Sequence, residues 1–391
     1  MDAVTFLRGL RRRRIALAVF LLICLQPSLS GIVGRLLQGR WWFSDFDAVL
    51  CAADAMSQGR NPYELVPHCA GTDPATFVYL PQIAALFAPL IHTLGMGGVR
   101  LLFTVILMPF ALALFGYVLG ARLRLPTPFR LLAWGAIRGS VLASGNVGLI
   151  LNGAVLLAGL MLRRTRWPLL LVIVVAATIK PMAVTYLALF LLDRRPVAQR
   201  LLFVGLGGVL SASAFGALCL TGGPWIDAWR HTVTLVLVDQ PGGGFIRLMT
   251  TIGLASASPM SVLLYVMLAG SVCLAAFILV EAGGFDDTGR MAVALLVAGL
   301  LNPRLQDYDL YLLYPSLAFV VMACAGRPGF RSLSWGFAGV MALVNLANVV
   351  GFKAIDQIPV AWLLGLCALY AASFAVSRQG RAAEASRIPA E

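Results

Sequence analysis

Long apolar stretches alternate with short polar segments along the whole chain. Stretches long enough to cross a bilayer as a helix, which takes about 20 residues, begin near Ile15, Val99, Leu201, Pro259, Leu333 and Ile358. Shorter apolar stretches begin near Gln82, Leu131, Val147, Pro168, Met182, Met291 and Leu310. The pattern predicts an all-α fold, a single polytopic transmembrane helical bundle over residues 1–391 with about 12 crossings.

Composition and charge support this class. With 60% hydrophobic and 12% charged residues and a mean hydropathy of +0.88, the chain has too little polar surface for a water-soluble core. Basic loops are retained in the cytoplasm, so both termini, including a tail at 378–391, are predicted inside. The loop and terminal arginines behind this prediction are Arg8, Arg11 to Arg14, Arg163, Arg164, Arg166, Arg194, Arg195, Arg327, Arg331, Arg378, Arg381 and Arg387.

The formal charge of +13 reflects this retention of basic loops. Because the arginines are dispersed over many loops, nucleic acid is not a predicted partner, whereas membrane lipids are. The basic start and apolar run of the chain also resemble a secretory signal. Leu29 to Val33 extend the apolar length beyond a typical signal core, so an uncleaved signal anchor is predicted.

One part of the topology does not close. Residue 80 and Asn146 are both predicted outside, so an even number of crossings must join them. Three candidates lie between them, at Gln82–Leu94, Val99–Gly120 and Leu131–Ser144. One of the three is therefore expected to be re-entrant or interfacial, and the basic residues between Arg122 and Arg130 do not decide which.

The cysteines and histidines give no metal site. The seven cysteines are scattered singly without metal-ligand spacing, and His68, His92 and His231 are isolated. Cys51 and Cys69 share an exterior loop where oxidation is possible, but the favoured prediction is two unpaired small apolar residues. Neither a metal nor a cofactor is predicted.

Acidic residues concentrate in the segments predicted outside, which membrane insertion does not require. The first of them, Asp45, follows Trp41 to Ser44 in a predicted exterior catalytic loop at 34–80. Residues 45–57 read as a short amphipathic helix, with Ser44 as N-cap and Gly59 ending it. Asp45 would face the bundle or a cavity while Asp47 and Asp54 point elsewhere, and a carboxylate beside aromatics suits a general base. The alternative is that Asp45 only caps the helix.

Lys180 interrupts a strongly apolar run directly before Pro181. Residues 168–192 lie between two basic loops, so they should form a hairpin with Lys180 at its tip. An ionisable group at membrane depth usually marks a site, and a phosphate is the natural ligand of this one. The alternative is a lysine that extends to the interface.

Three further exterior segments carry candidate ligand-binding residues. Gly145-Asn146 begins an apolar helix whose N-terminus would face a ligand, although turn chemistry also explains the pair. The flexible loop from Asp239 to Arg247 contains Gln240 and three glycines, and it is either a phosphate clamp or a plain lid. Residues 302–311 form a dense polar patch that aromatic-belt behaviour alone does not explain, comprising Arg304, Asp307, Tyr308 and Asp309. Residues 224–231 look like an interfacial anchor.

Together these segments resemble glycosyltransferase family 87, membrane enzymes of the GT-C superfamily. The resemblance covers residues 40 to 320 and rests on the order of the motifs and on their common face. The motifs are Asp45-Phe46 to Ala52-Ala53, Gly59 to Tyr63, Phe77 to Pro81 with Tyr79, Gly145-Asn146, Lys180-Pro181 and Gln240 to Arg247. Where many members have a pair of histidines, this chain has Tyr308-Asp309.

The resemblance implies a polyprenyl-phosphate-linked sugar donor, with mannose favoured and arabinose compatible, and a glycolipid or glycan acceptor. Asp45 would be the general base, and Lys180, Arg247 and Arg304 would bind the donor phosphate. The substrate would contact Tyr63, Tyr79, Asn146, Gln240, Asp307, Tyr308 and Asp309. The reaction would take place on the periplasmic side of the plasma membrane. The alternative is a lipid-linked saccharide flippase or transporter, for which charged residues along the whole pathway are expected.

Overall fold

A computed structural model describes residues 14–37, 42–70, 72, 74–325, 331–350 and 356–385. All regular secondary structure within these ranges is helical, apart from one isolated β-bridge that joins Gly243 to Leu305. Several residues used in the sequence argument lie outside the described residues or have no described side chain: Arg8, Arg11 to Arg13, Trp41, Arg327, Arg331, Arg378, Arg381 and Arg387.

The α-helices are α1 (Arg14–Leu37), α2 (Ser44–Ser57), α3 (Pro81–Leu119), α4 (Thr127–Gly135), α5 (Ser140–Ala143), α6 (Val147–Leu160), α7 (Trp167–Ile179), α8 (Ala188–Leu191), α9 (Val197–Thr221), α10 (Trp225–Asp239), α11 (Phe245–Thr251), α12 (Pro259–Gly283), α13 (Asp287–Leu301), α14 (Leu310–Cys324), α15 (Arg331–Val349) and α16 (Gln357–Ala385). In the same ranges, two 3₁₀ helices, Pro181–Leu187 and Asp307–Asp309, precede α8 and α14.

The protein is a helical bundle with membrane character. Six helices in the described part of the chain are long and apolar enough to cross a bilayer: α1, α3, α9, α12, α15 and α16. Shorter apolar helices, among them α6 and α7, pack between them.

α3 reverses direction at Gly95, which has a left-handed φ of 66°. The Phe46 ring lies 5.6 Å from that of Phe87 and 3.7 Å from that of Phe103. In one straight helix Phe87 and Phe103 would lie about 24 Å apart, too far for one ring to contact both. The segment from Pro81 to Leu94 therefore folds back beside α2. From the sequence alone, any one of the three apolar segments between residue 80 and Asn146 could have been the one that departs from a simple span.

The bundle has two chemically different ends. Asn146 is the N-cap of α6, and Arg163 follows shortly after its last residue, Leu160. These two residues therefore mark opposite ends of the bundle. At the end that contains Arg163, here called the arginine-rich end, the Asp287 carboxylate lies 2.6 Å from Arg163 and 3.0 Å from Arg194. Glu281 likewise lies 2.7 Å from Arg200 and 3.0 Å from Arg290. The other end, here called the cavity end, contains Asp45, Asn146 and Lys180.

α1 packs closely on the broken segment formed by α4 and α5. A Cβ on Gly139 would clash with the backbone of Ser28, and one on Gly31 would clash with that of Ser140. The Ser28 hydroxyl also donates to the Ile137 carbonyl at 3.0 Å. This contact fixes α5, whose end supports the start of α2 through backbone hydrogen bonds.

α2 is held by a buried ion pair. Asp47 is fully buried, and its two carboxylate oxygens accept hydrogen bonds from Arg100 Nε at 2.7 Å and Nη2 at 2.8 Å. Asp47 therefore points into the protein, whereas the helical pattern predicted only that it points away from the side of Asp45. The predicted Ser44 cap is wrong, since the N-cap is Phe43, which has a φ of 65° and makes no side-chain cap hydrogen bond.

A disulfide joins Cys51 on α2 to Cys69 in the loop that follows, with Cα atoms 5.8 Å apart. The prediction of two unpaired cysteines is therefore wrong. The sequence does not show that residues 58–80 return along α2, which brings the two thiols together. The Tyr63 hydroxyl secures the same return by donating to the Tyr79 carbonyl at 2.8 Å.

Candidate functional site

A cavity of about 570 Å³ opens at the cavity end. Its wall is built from the first loop, α5, α6, the Lys180 turn, α10, α13 and the segment around residues 302–309. All but two of the residues predicted for the site line it: Asp45, Tyr79, Asn146, Lys180, Gln240, Arg304, Asp307, Tyr308 and Asp309.

Asn146 connects Asp45 to Lys180. Its Nδ2 donates to Asp45 Oδ2 at 2.8 Å, and its Oδ1 accepts from Lys180 Nζ at 2.6 Å. Oδ1 also accepts from the Gly148 backbone N–H at 2.8 Å and so caps α6. One carboxamide thus fixes a carboxylate, an ammonium group and a helix N-terminus in the same corner of the cavity.

Backbone contacts position Asp45. The Phe43 N–H donates to the Ala143 carbonyl at 2.8 Å, and the Asp45 N–H donates to the Ser144 carbonyl at 2.9 Å. Gly145 has a φ of 65°, and a Cβ there would come within 2.5 Å of the Phe43 ring. Only glycine fits this close approach, so the start of α2 and the turn before α6 form one rigid unit.

Lys180 lies at the break after α7, outside the six long apolar helices. Its ammonium nitrogen is 3.7 Å from the centre of the Tyr308 ring and 5.9 Å from that of Tyr79. Burial lowers the pKa of Lys180 from 10.5 to about 8, although the negative charges of Asp309 and Asp45 oppose this shift. The lysine is therefore a protonated but easily neutralised cation near neutral pH.

Asp309 is saturated by protein hydrogen bonds. Its carboxylate accepts from Asn152 Nδ2 at 3.2 Å, Asn302 Nδ2 at 3.0 Å and the Gln306 N–H at 3.0 Å. Burial raises the pKa of Asp309 from 3.8 to about 6, with Lys180 acting against the rise. Asp309 thus supports the loop and balances Lys180, leaving Asp45 and Asp307 as the less saturated carboxylates on the cavity wall.

Asn152 lines the cavity and was not predicted from the sequence. It is buried in the middle of α6, accepts from the Tyr186 hydroxyl at 2.8 Å and donates to the Tyr308 carbonyl at 3.1 Å. A lone carboxamide inside a strongly apolar helix is the signal that could have revealed it. Arg35, near the end of α1, also lines the cavity and was not predicted.

α10 covers the cavity. Trp229 Nε1 donates to the Val78 carbonyl at 3.1 Å, and the Thr232 hydroxyl donates to the Tyr63 carbonyl at 3.2 Å. At its other end, Arg304 Nε and Nη2 both donate to the Gln240 carbonyl, at 3.1 and 3.0 Å. Trp229 of the segment predicted as an interfacial anchor therefore lines the cavity, and Val233, Val236 and Leu237 further along α10 make this wall apolar.

Two predicted site residues lie away from the cavity lining. Tyr63 is buried, and its hydroxyl is bonded to the Tyr79 carbonyl, so it supports the cavity from behind. Arg247 is exposed on α11 and does not line the cavity. Among the described residues, the cations that do line it are Arg35, Lys180 and Arg304.

The described residues contain no group of three or more His, Cys, Asp or Glu side chains that could hold a metal ion. In comparisons with protein-family models, curated proteins and solved structures, nothing matches this chain. Its function must therefore be inferred from the chemistry of the cavity.

Proposed function

We propose that this protein is a membrane glycosyltransferase that moves a hexose or pentose, with mannose favoured, from a polyprenyl phosphate to a glycolipid or glycan acceptor. The main support is the joining of Asp45 to Lys180 through Asn146 on one cavity wall. A carboxylate suits the proton of an attacking hydroxyl, and a neighbouring ammonium suits a departing phosphate. This arrangement matches the roles implied by the resemblance to glycosyltransferase family 87.

The donor would contact both the polar and the apolar residues of the cavity wall. Its phosphate would lie by Lys180 and Arg304, and its first isoprene units would lie along the apolar face of α10 near Val236 and Leu237. Arg304 is bonded to the Gln240 carbonyl, so binding the phosphate would require it to share or exchange that partner. Arg247 has no part in this account because it lies outside the cavity.

The reaction would be a single displacement with inversion. The acceptor oxygen forms a bond to the anomeric carbon while the bond from that carbon to the phosphate oxygen breaks, and its electron pair leaves with polyprenyl phosphate. Asp45 takes the proton of the acceptor hydroxyl. Lys180 stabilises the charge on the departing phosphate. No nucleotide is needed, because the phosphate ester is already an activated leaving group.

We propose that the cavity end faces the periplasm across the plasma membrane. The Cys51–Cys69 disulfide supports this orientation, since disulfides persist in oxidising compartments. The ion-paired arginines at the opposite end support it through the retention of basic loops in the cytoplasm. With Pro81–Leu94 folded back at the surface, the remaining segments alternate to give about 12 crossings.

The test is to incubate purified protein with a panel of polyprenyl-phosphate sugars and an acceptor pool. Release of polyprenyl phosphate from one donor, dependent on acceptor, is the expected result. If every donor stays intact with a competent acceptor present, the proposal fails. Movement of intact lipid-linked saccharide across vesicles containing the protein would instead favour the flippase alternative.

A further inference from the structure

Asp307 is held by a chain of side-chain hydrogen bonds that leads away from the cavity. Its Oδ1 accepts from Gln357 Nε2 at 2.8 Å, and Gln357 Oε1 accepts from Asn348 Nδ2 at 3.2 Å. Asn348 Oδ1 in turn accepts from Arg138 Nε and Nη2, both at 3.2 Å. The chain therefore joins a cation at the α4–α5 break to a carboxylate on the cavity wall through two amides.

The ends of this chain fix its direction. A guanidinium group can only donate and an ionised carboxylate can only accept, so each amide must present its oxygen towards Arg138 and its nitrogen towards Asp307. Aligned amides polarise one another, which strengthens the bonds. Gln357 is also buried, and its backbone carbonyl accepts a hydrogen bond from the Tyr314 hydroxyl at 3.2 Å.

Among the described carboxylates of the cavity, Asp307 differs from Asp309 in its hydrogen bonds and from Asp45 in its effect on Lys180. Gln357 is its one side-chain hydrogen-bond partner within the described part of the chain, whereas Asp309 is saturated. The charges that act on Lys180 are those of Asp309, Asp45 and Arg304. Asp307 lines the cavity, and its charge is not among those that act on Lys180. A carboxylate in this setting would suit neutral hydroxyl groups.

We propose that Arg138, Asn348 and Gln357 are positioning residues that hold Asp307 to bind neighbouring hydroxyl groups on a neutral sugar of the acceptor. This inference rests on the proposed function. A carboxylate with a fixed orientation can accept hydrogen bonds from two adjacent hydroxyls, which gives specificity for a vicinal diol. The chain acts through Asp307 and does not touch the reacting atoms.

The first test is the substitution Asn348→Leu, which interrupts the chain and leaves Asp45 and Lys180 unchanged. We expect the KM for acceptor to rise about tenfold, because one charge-assisted hydrogen bond is lost. The kcat and the KM for donor should stay within about twofold of the wild-type values. Asn345→Leu is the matched control, because Asn345 lies one turn earlier on α15 and donates to the Leu132 carbonyl instead. An equal change in both KM values, or an equal effect of the control, overturns the proposal.

A double-mutant cycle separates positioning from general destabilisation. In an Asp307→Asn background, Asn348→Leu should add little further increase in acceptor KM, because the two substitutions act on one interaction. Additive effects overturn the proposal.

A binding measurement keeps this test separate from the proposed transferase activity. Methyl α-mannoside binding is followed by saturation-transfer NMR in wild type, Asp307→Asn and Asn348→Leu. A weaker signal in both variants supports the role of the chain even if no donor is turned over. Equal binding in all three proteins contradicts it.

Discussion

The Lys180 ammonium nitrogen lies 3.7 Å from the centre of the Tyr308 ring. Here the aromatic face holds the cation, and the adjacent Asp309 carboxylate balances its charge. The loop from Asn302 to Asp309 and the Lys180 turn therefore form one wall of the cavity.

Lys180 makes donor binding dependent on pH. Without a bound donor, Lys180 has a pKa of about 8. A bound phosphate favours the charged form of Lys180, so donor binding above pH 8 is coupled to the uptake of a proton. We expect donor affinity to be flat below pH 8 and to fall about tenfold per pH unit above it. The Lys180→Arg variant, whose guanidinium stays charged, should show no such fall between pH 7 and 9. Donor titrations across this range check both, and a flat wild-type profile contradicts the role of Lys180.

Asn146 should be required for turnover beyond its role as a helix cap. In Asn146→Asp the new carboxylate still accepts from Gly148 and Lys180, but it repels Asp45 instead of donating to it. We expect turnover to fall at least about tenfold while the Tm changes little. Ser258→Ala is the control, since it removes the N-cap of α12 outside the cavity and costs about 1 kcal/mol without loss of turnover. Wild-type turnover in Asn146→Asp would show that the bridge is dispensable.

The Cys51–Cys69 disulfide should stabilise α2 and its return loop. Replacing both cysteines by alanine removes a cross-link over a sequence separation of 18 residues, which costs about 3 kcal/mol of stability in the chain-entropy model. A reductant should lower the Tm of the wild type and leave that of the double variant unchanged. Cys219→Ala, which removes a free thiol, is the matched control. Maleimide labelling of Cys51 and Cys69 in unreduced protein would contradict the pairing.

The Asp47–Arg100 ion pair should be structural. Asp47→Ala leaves Arg100 without its carboxylate partner inside the protein, and the expected loss is about 3–5 kcal/mol of folding free energy. Replacing both residues by leucine should recover much of that loss, because no unpaired charge remains. Thermal unfolding followed by size-exclusion chromatography checks this. A double variant no more stable than Asp47→Ala would show that the pair does more than balance charge.

Much of the site could be predicted from the sequence because each candidate interrupts an apolar pattern at a helix end. Lys180 before Pro181, Asn146 after Gly145 and the polar run from Arg304 to Asp309 all stand out in this way, and all line the cavity. Arg247 shares the pattern but lies on the outer side of α11. The pattern locates a helix end, but it does not show whether a side chain on a short helix faces the cavity.

The contacts that the sequence did not reveal are long-range ones. The pairing of Cys51 with Cys69 depends on how the first loop folds back, and the reversal at Gly95 depends on packing against Phe46. The chain from Arg138 to Asp307 joins three separate parts of the sequence. Asn348 and Gln357 look like ordinary helix-end residues until the fold brings them together.

The most direct test of the proposed function compares Asp45→Asn with the wild type in single-turnover assays. Asparagine keeps an oxygen that can accept from Asn146, so the substitution removes the base and preserves the shape of the site. Asp54→Asn is the matched control, because Asp54 lies on α2, is half-buried and does not line the cavity. We predict that turnover falls by about 10²- to 10⁴-fold in Asp45→Asn, with donor affinity unchanged and the control fully active. Turnover at the wild-type rate in Asp45→Asn would contradict the proposal that Asp45 is the general base of a glycosyltransferase.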